Sequence, residues 1–321
     1  MLDIRPFDPQ QSETWDAFVQ ESYNGTLFHE RRFLGYHPPE RFTDASLMLF
    51  REGRLLAVMP AACREVQGER VLASHPGASF GGPVVRAGAS LKETDELVRA
   101  IIRWAEENEF KAIDITLPPA VYLKAPGNYL DFCLYKQGFR YRKREMSSVV
   151  PLPGEEAAVL PMFSSQARRA VRKAQKSGVL IRLDEDYAGF YRILERNLRL
   201  RHNVIPTHTL PELEQLVALY PDRIHLYAAY AGQRMIAGLV MFDATAQTTL
   251  AFYISHDQDF QQYRAVNLLF YEVFCRYVRA GYRYLDFGLF SVDMEPNWGL
   301  ARFKEGFGAL GVFRDSMVLK L

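Results

Sequence analysis

The sequence predicts an α/β fold in which one domain with a mixed β-sheet occurs twice. Its 321 residues are 48% hydrophobic and 24% charged, which is the composition of a globular protein. At roughly 100–200 residues per domain, this length allows two domains. Two further observations support the prediction: an internal duplication of sequence, and the same order of strand and helix patterns in both halves of the chain.

Three kinds of segment occur twice, in the same order and about 170 residues apart. They are a hairpin, a helix followed by a strand that carries an aspartate, and a short element that reads aromatic, Lys, polar, Gly, Phe. The paired ranges are 52–57 with 231–237, 96–115 with 266–287, and 135–139 with 303–307. This spacing is far too long for a solenoid, so the pattern indicates two copies of one domain, in which Asp114 matches Asp286.

In the first copy, apolar residues recur at helical spacing in some segments and alternate with polar residues in others. The helical spacing predicts helices near 11–21, 30–36, 91–108 and 129–137. The alternating segments predict strands near 2–5, 45–51, 54–62, 70–80, 111–117 and 145–151.

The second copy shows the same two patterns. Helices are predicted at 186–202, 210–219, 265–280 and 298–305, and strands at 179–183, 223–230, 234–242, 248–255, 282–287 and 312–319. A run of antiparallel strands, then a crossover helix and a further strand, predicts a mixed sheet. Because 151–161 begins Pro-Leu-Pro-Gly and predicts a linker, the expected domains are 1–152 and 162–321.

Charge and residue content exclude several classes of protein. The 39 Lys and Arg residues nearly balance the 38 Asp and Glu residues, so the chain is not a polycation that coats DNA. Three cysteines without a C-x-x-C pair argue against a disulfide framework or a zinc knuckle, and the seven histidines lack metal-ligand spacing. No stretch approaches about 18 uncharged apolar residues. We therefore expect a cytoplasmic protein with no metal, no DNA partner and no integral membrane segment.

Positive charge is concentrated in 166–178, which contains five cations and no acid. On a helix, Arg168 and Arg172 lie at i and i+4, where like charges repel by a few tenths of a kcal/mol. Either this segment binds phosphate groups, with Arg168 and Arg172 as contacts, or it is a solvated helix face.

One short motif suggests a different enzyme class. The segment 77–81 reads Gly-Ala-Ser-Phe-Gly and fits the G-x-S-x-G elbow of serine hydrolases. That elbow requires a helix directly after the serine, whereas Gly-Pro-Val-Val follows here as extended chain. A serine hydrolase is therefore a distant alternative.

Four segments together resemble the FemAB/FemX peptidyltransferases: 166–178, 256–269, 284–288 and 299–308. The resemblance implies two tandem GNAT-like domains, of which the N-terminal one forms an acceptor cleft without catalysis and the C-terminal one is catalytic. The segment 79–83 is similar to the glycine segment of the family's first domain, which implies that Gly81 and Gly82 contact substrate. Arg168, Arg172 and Phe303 complete the expected substrate- and phosphate-binding set.

The resemblance also implies a reaction. An acyl or aminoacyl group passes from aminoacyl-tRNA or acyl-CoA, used as co-substrate without a tightly bound cofactor, to the amine of a small-molecule or muropeptide acceptor such as a peptidoglycan precursor. The acceptor end of tRNA would then be a partner. The chain departs from the family in three ways. It lacks a long coiled-coil arm, and it has Tyr36 and His37 where some members have a lysine. The segment 262–267 also lacks the glycine of the GNAT pyrophosphate loop. The alternatives are an acyl-CoA-dependent GNAT N-acetyltransferase and a non-catalytic anion-binding module.

The chemistry of acyl transfer indicates which residues carry it. Attack of an amine on an ester or thioester builds negative charge on the carbonyl oxygen, so the site needs a fixed cation or N–H donors and a route for a proton. Lys304 resembles the family's catalytic-site lysine, and Asp286 and Tyr253 lie near the ends of two strands that we expect to separate. The alternative for Lys304 is a solvent-facing helical lysine. The alternatives for Asp286 and Tyr253 are a structural cap and a core tyrosine, respectively. Asp114 and Lys136 hold the matching places in the first copy.

Overall fold

The computed structural model describes residues 2–202 and 205–321. It divides into two compact units: unit 1 comprises Met1–Glu145 with Phe313–Leu321, and unit 2 comprises Met146–Val312. No helix among the described residues is both long and apolar enough to cross a membrane.

Unit 1 contains two sheets that are covered by helices. Its helices are α1 (Ser12–Glu21), α2 (Arg31–Leu34), α3 (Leu91–Glu107) and α4 (Tyr129–Lys136). Its strands are β1 (Asp3–Pro6), β2 (Thr43–Asp44), β3 (Leu47–Arg51), β4 (Arg54–Met59), β5 (Ala62–Val66), β6 (Glu69–Ser74), β7 (Val84–Val85), β8 (Ala112–Thr116) and the first part of β9 (Arg140–Pro151). Helix α3 buries Leu97, Ile101 and Ala105 in the core of this unit. Its N-cap residue is Ser90, whose side chain accepts the Glu93 N–H.

Unit 2 is built on one mixed sheet in the order β10-β11-β12-β13-β14-β9. Its helices are α5 (Val159–Met162), α6 (Ser165–Lys176), α7 (Tyr187–His202), α8 (Leu210–Leu219), α9 (Ala265–Arg279) and α10 (Trp298–Glu305). Its strands are β10 (Leu180–Asp184), β11 (Ile224–Ala231), β12 (Arg234–Asp243), β13 (Thr248–His256), β14 (Tyr284–Leu289), β15 (Ser291–Val292), β16 (Glu295–Pro296) and the start of β17 (Leu310–Lys320). Among the described strands of this unit, only β13 and β14 pair in parallel, because α9 connects them as a crossover helix.

The same order of pairing is found in both units. In unit 1, β1 pairs with β3, β3 with β4, β5 with β6, β6 with β8 in parallel, and β8 with β17. In unit 2, β10, β11, β12, β13, β14 and β9 follow one another with the same directions. Asp114 and Asp286 are each the third residue of the strand after the crossover helix. The predicted mixed α/β fold of two like domains is confirmed.

Two strands run from one unit into the other, which differs from the domain boundaries expected at 152 and 162. The chain leaves unit 1 inside β9 and returns to it inside β17. The later part of β9 pairs with β14 in unit 2, and the later part of β17 pairs with β8 in unit 1. The sheet of unit 2 is therefore completed by β9 from the first sequence copy, and the sheet of unit 1 that contains β8 is completed by β17 from the second. Periodicity does not reveal this exchange, because it reports a strand and not its partner.

The strand expected at 54–62 is divided into two strands. Pro60 lies between β4 and β5, which pair in different sheets of unit 1. Proline has no N–H to donate to a sheet, so the pairing is interrupted there. The strand expected at 70–80 ends at Ser74, and the residues after it turn towards Gly81.

Candidate active site

The site in unit 2 lies at the end of β14, where the strand stops pairing in a regular way. Asp286 on this strand is 1% exposed, and its carboxylate accepts hydrogen bonds from the Ser147 hydroxyl at 2.5 Å and the Gly288 N–H at 2.7 Å. Gly288 has φ +71°, a left-handed conformation that glycine adopts without strain. This turn after Asp286 places the carbonyls of Gly288 and Leu289 where a single side chain can reach both.

That side chain is Lys304 on α10. Its ammonium Nζ donates to the Gly288 carbonyl at 2.8 Å and to the Leu289 carbonyl at 2.7 Å, and the residue is only 2% exposed. Burial lowers the pKa of Lys304 to about 8, although the nearby Asp286 carboxylate acts in the opposite direction. A lysine ammonium has three N–H donors, and two of them are used here.

Lys304 is therefore a buried, positioned donor and not a solvent-facing helical lysine. A buried cation costs free energy unless it is paired and hydrogen-bonded. The two carbonyls and the carboxylate of Asp286 provide that compensation. The third N–H of the ammonium is a charged donor of the kind that stabilises an oxygen on which negative charge develops during acyl transfer.

Tyr253 lies on β13, beyond the point where this strand leaves β14. The parallel pairing ends at Leu250 with Asp286, and the register of β13 against β12 shifts between Val240 and Met241. The Tyr253 hydroxyl is buried, accepts the His208 N–H at 3.0 Å and lies 2.9 Å from the His208 Nδ1 atom. Burial raises the pKa of Tyr253 to about 12. Asp286 thus lies near Lys304, whereas the Tyr253 hydroxyl is hydrogen-bonded to His208.

Phe303, one of the expected substrate-binding residues, is half-buried. Its ring packs against Phe307 at 5.1 Å and against Phe270 at 6.3 Å between centroids. Phe307 is the fully buried ring, at 1% exposure. The reason is the helical register of α10, which turns Ala301 and Lys304 inward and leaves Phe303 at the flank.

The basic segment forms α6, which packs on α9 through Ala167, Val171 and Ala174. Arg168 is half-buried, and its guanidinium donates to the carbonyls of Pro161 and Phe163 at 3.1 and 2.5 Å. Two hydrogen bonds from one terminal nitrogen of Arg168 thus hold the chain that precedes the helix. Within 2–202 and 205–321, the four other cations of α6 have no ion pair; they are Arg169, Arg172, Lys173 and Lys176. Of the two expected phosphate contacts, Arg172 is exposed and Arg168 is half-buried.

Gly81 and Gly82 lie in unit 1 and are buried. The Gly81 N–H donates to the Thr116 carbonyl at 2.7 Å, and the Gly82 N–H donates to the Ser74 hydroxyl at 2.7 Å. A Cβ atom at Gly81 would lie 2.3 Å from the Ser74 carbonyl carbon, and Gly82 has φ +88°. Close packing and backbone conformation account for both glycines, and both amides are already bonded inside the protein.

Comparison with known proteins connects this geometry to a fold family. Residues 163–305 match the family model described as acetyltransferase (GNAT) domain. The crystal structure of FemX superposes with a TM-score of 0.75 at 14% identity, covering 99% of this chain and 97% of that chain. The chain has the FemX fold. The expected resemblance is therefore confirmed at the level of the fold.

Two other solved structures share this architecture. L-PGS from Bacillus licheniformis matches with a TM-score of 0.60 and 12% identity, covering 97% of this chain and 91% of that chain. A tandem GNAT protein from the clavulanic acid biosynthesis pathway matches with a TM-score of 0.56 and 11% identity, covering 100% of this chain and 98% of that chain. No curated protein sequence matches the chain.

Unit 1 has the same strand pairing as unit 2 but lacks its lysine and aspartate arrangement. Asp114 forms an ion pair with Arg142 at 3.1 Å, and Lys136 is exposed and pairs with Asp95 at 2.9 Å. In the described part of the chain, no group of three His, Cys, Asp or Glu side chains could hold a metal ion.

Sequence reasoning missed two residues of the FemX-like unit 2. Ser147 lies on β9, at the end of the first sequence copy, and reaches Asp286 only because β9 enters the sheet beside β14. His208 precedes α8 and contacts Tyr253 without any spacing motif. The only local signal near His208 is the capping box of Thr209 and Glu212, which predicts the start of α8 and not the contact.

Proposed function

We propose that this protein is an acyltransferase that moves an acyl or aminoacyl group from an activated donor to the amine of an acceptor. The observation that carries the proposal is the buried Lys304 ammonium, held by the Gly288 and Leu289 carbonyls beside Asp286. The match of 163–305 to a GNAT domain supports the same reaction class.

In the proposed reaction, Lys304 and Asp286 have different roles. The acceptor amine attacks the donor carbonyl, a C–N bond forms, and the C–O or C–S bond to the leaving group breaks. The free N–H of Lys304 binds the oxyanion that forms during the attack. The amine proton passes to the leaving group. Asp286 is a positioning residue: it keeps the lysine charged and, through the Gly288 N–H, fixes the turn that holds it.

The finer proposal is that an aminoacyl group is transferred from aminoacyl-tRNA to a peptidoglycan precursor in the cytoplasm. It is supported by the FemX fold and by the start of α9. There Arg264, a non-glycine residue, occupies the N-cap position with φ 57°. A glycine would allow closer approach of a CoA pyrophosphate to this helix terminus. The GNAT match favours a second candidate, an acyl-CoA-dependent N-acetyltransferase.

A transfer assay with labelled donors tests the proposal. Aminoacyl-tRNA and acetyl-CoA are each incubated with a UDP-linked muropeptide, and label in the acceptor is measured for the wild type and for Lys304→Met. Lys136→Met is the matched control, because this lysine has the same place in unit 1 but is exposed and paired with Asp95. Label from aminoacyl-tRNA supports the finer proposal, and label from acetyl-CoA supports the second candidate. No transfer from either donor, or transfer that survives in Lys304→Met, contradicts the assignment.

A further inference from the structure

We propose that unit 2 has a second ligand site, which binds a phosphoryl group between α7 and the edge of the sheet. A cavity of about 530 Å³ lies there, lined by residues of β10, α7, β11, β12 and the end of β13. This volume falls within the range of small-molecule sites. None of the lining residues belongs to the site at the end of β14, so this inference does not rest on the proposed acyl transfer.

Four arginines line the cavity, and most of them are held in place before any ligand binds. Arg234 donates to the Asp257 carboxylate at 2.8 Å, and Arg196 lies 3.6 Å from the same carboxylate. Arg182 pairs with Asp184 at 2.8 Å and lies over the ring of Tyr230 at 3.9 Å. Asp257 is 7% exposed, so the carboxylate that holds these two guanidinium groups is itself fixed inside the protein. Such preorganisation lowers the entropy cost of binding.

The fourth arginine, Arg192, has an unused guanidinium. It is exposed, lines the cavity, and forms no ion pair within 2–202 and 205–321. It lies four residues before Arg196 on α7, where two like charges repel each other. The four arginines exceed the three aspartates of the cavity wall by one positive charge, and Asp259, beside the wall, also pairs with Arg196 at 3.2 Å. An anion beside Arg192 would pair with the one guanidinium of the wall that has no carboxylate partner among the described residues.

The arrangement fits a phosphoryl group better than a lone carboxylate. Arginine binds phosphate oxygens through two parallel N–H donors, and here guanidinium groups come from β10, α7 and β12 around one space. A phosphoryl group has enough oxygens for several of these donors at once. Asn197 and Gln258 add amide groups to the wall. The phosphoryl group could come from a nucleoside diphosphate or from the bisphosphorylated adenosine of CoA.

Titration calorimetry at low salt tests the site with inorganic pyrophosphate, UDP and adenosine 3′,5′-bisphosphate. Wild type should bind pyrophosphate, and Arg192→Gln should weaken that binding at least tenfold with an unchanged melting temperature. Arg199→Gln is the matched control, because Arg199 lies on the same helix, pairs with Glu195 and does not line the cavity. Its affinity should equal that of wild type.

Comparison of the three ligands identifies the source of the phosphoryl group. The Lys304→Met variant distinguishes this proposal from the acyl transfer proposal. If UDP binds most tightly, the ligand is a nucleoside diphosphate, and if adenosine 3′,5′-bisphosphate binds most tightly, the ligand is CoA. If all three bind equally, the site recognises the phosphoryl group alone. Lys304→Met should bind pyrophosphate as the wild type does, even if the acyl transfer proposal fails. The second site is refuted if wild type does not bind pyrophosphate at low salt, or if Arg192→Gln binds it with unchanged affinity.

Discussion

Replacing Lys304 with methionine should remove a pH dependence of stability that the wild type owes to one buried ammonium. In the folded protein, burial lowers the pKa of Lys304 to about 8, against 10.5 for an ordinary lysine. Between these two values the unfolded chain binds the proton and the folded chain releases it. Stability therefore rises with pH in this window, and the cost of the buried charge is fully present below pH 8.

The size of the effect follows from the two pKa values. One pKa unit corresponds to about 1.4 kcal/mol, so the full window from 10.5 to about 8 corresponds to about 3 kcal/mol. Between pH 7 and pH 10 most of this difference is expressed, roughly 2–3 kcal/mol. Since Lys304 is 2% exposed, solvent screens the charge little.

Urea denaturation at pH 7, 8, 9 and 10 measures this difference. The free energy of unfolding of wild type minus that of Lys304→Met should increase with pH by the stated amount, while other titrating groups cancel in the subtraction. Lys136→Met, which removes an exposed lysine, should give a flat difference over the same range. A flat difference for Lys304→Met would refute the reasoning, because it would mean that the lysine is not buried as a cation.

Three further predictions concern activity and packing. The turnover rate should fall as pH rises through about 8, because deprotonated Lys304 no longer donates from an ammonium. A pH–rate profile measures this, and a rate that rises through pH 8 would indicate that Lys304 acts as a general base instead. Gly81→Ala should lower the melting temperature, since its Cβ would lie 2.3 Å from backbone atoms of Ser74, whereas Gly154→Ala, with no atom within 4 Å, should leave it unchanged; equal melting temperatures would contradict this packing. Phe307→Ala should cost roughly 3–5 kcal/mol in urea denaturation and Phe303→Ala clearly less, because only the first ring is fully buried, and the reverse order would contradict the described core.

The fold could be predicted from sequence because its signals are local or repeated. Helical and alternating spacing marks the elements, and the duplicated segments around Asp114 and Asp286 mark two like domains. The exchange of β9 and β17 between the units could not be predicted, since a strand pattern does not name the partner of the strand.

The site was predictable in part. Asp286 lies near enough to Lys304 to act on its charge, but the burial of Lys304 depends on two carbonyls that only the left-handed turn at Gly288 presents. Arg168 is indistinguishable from Arg172 in the charge pattern. The tertiary structure uses Arg168 to bond Pro161 and Phe163, and leaves Arg172 exposed.

The central claim is that the Lys304 ammonium stabilises the charge that develops during acyl transfer. Steady-state kinetics of Lys304→Met, with the donor that labels the acceptor, tests this claim most directly. We expect kcat to fall by ~10²–10³, the loss typical of removing one such donor, while KM changes little and the variant remains folded. A Lys304→Met enzyme with normal kcat, or one whose loss lies entirely in KM, would contradict it.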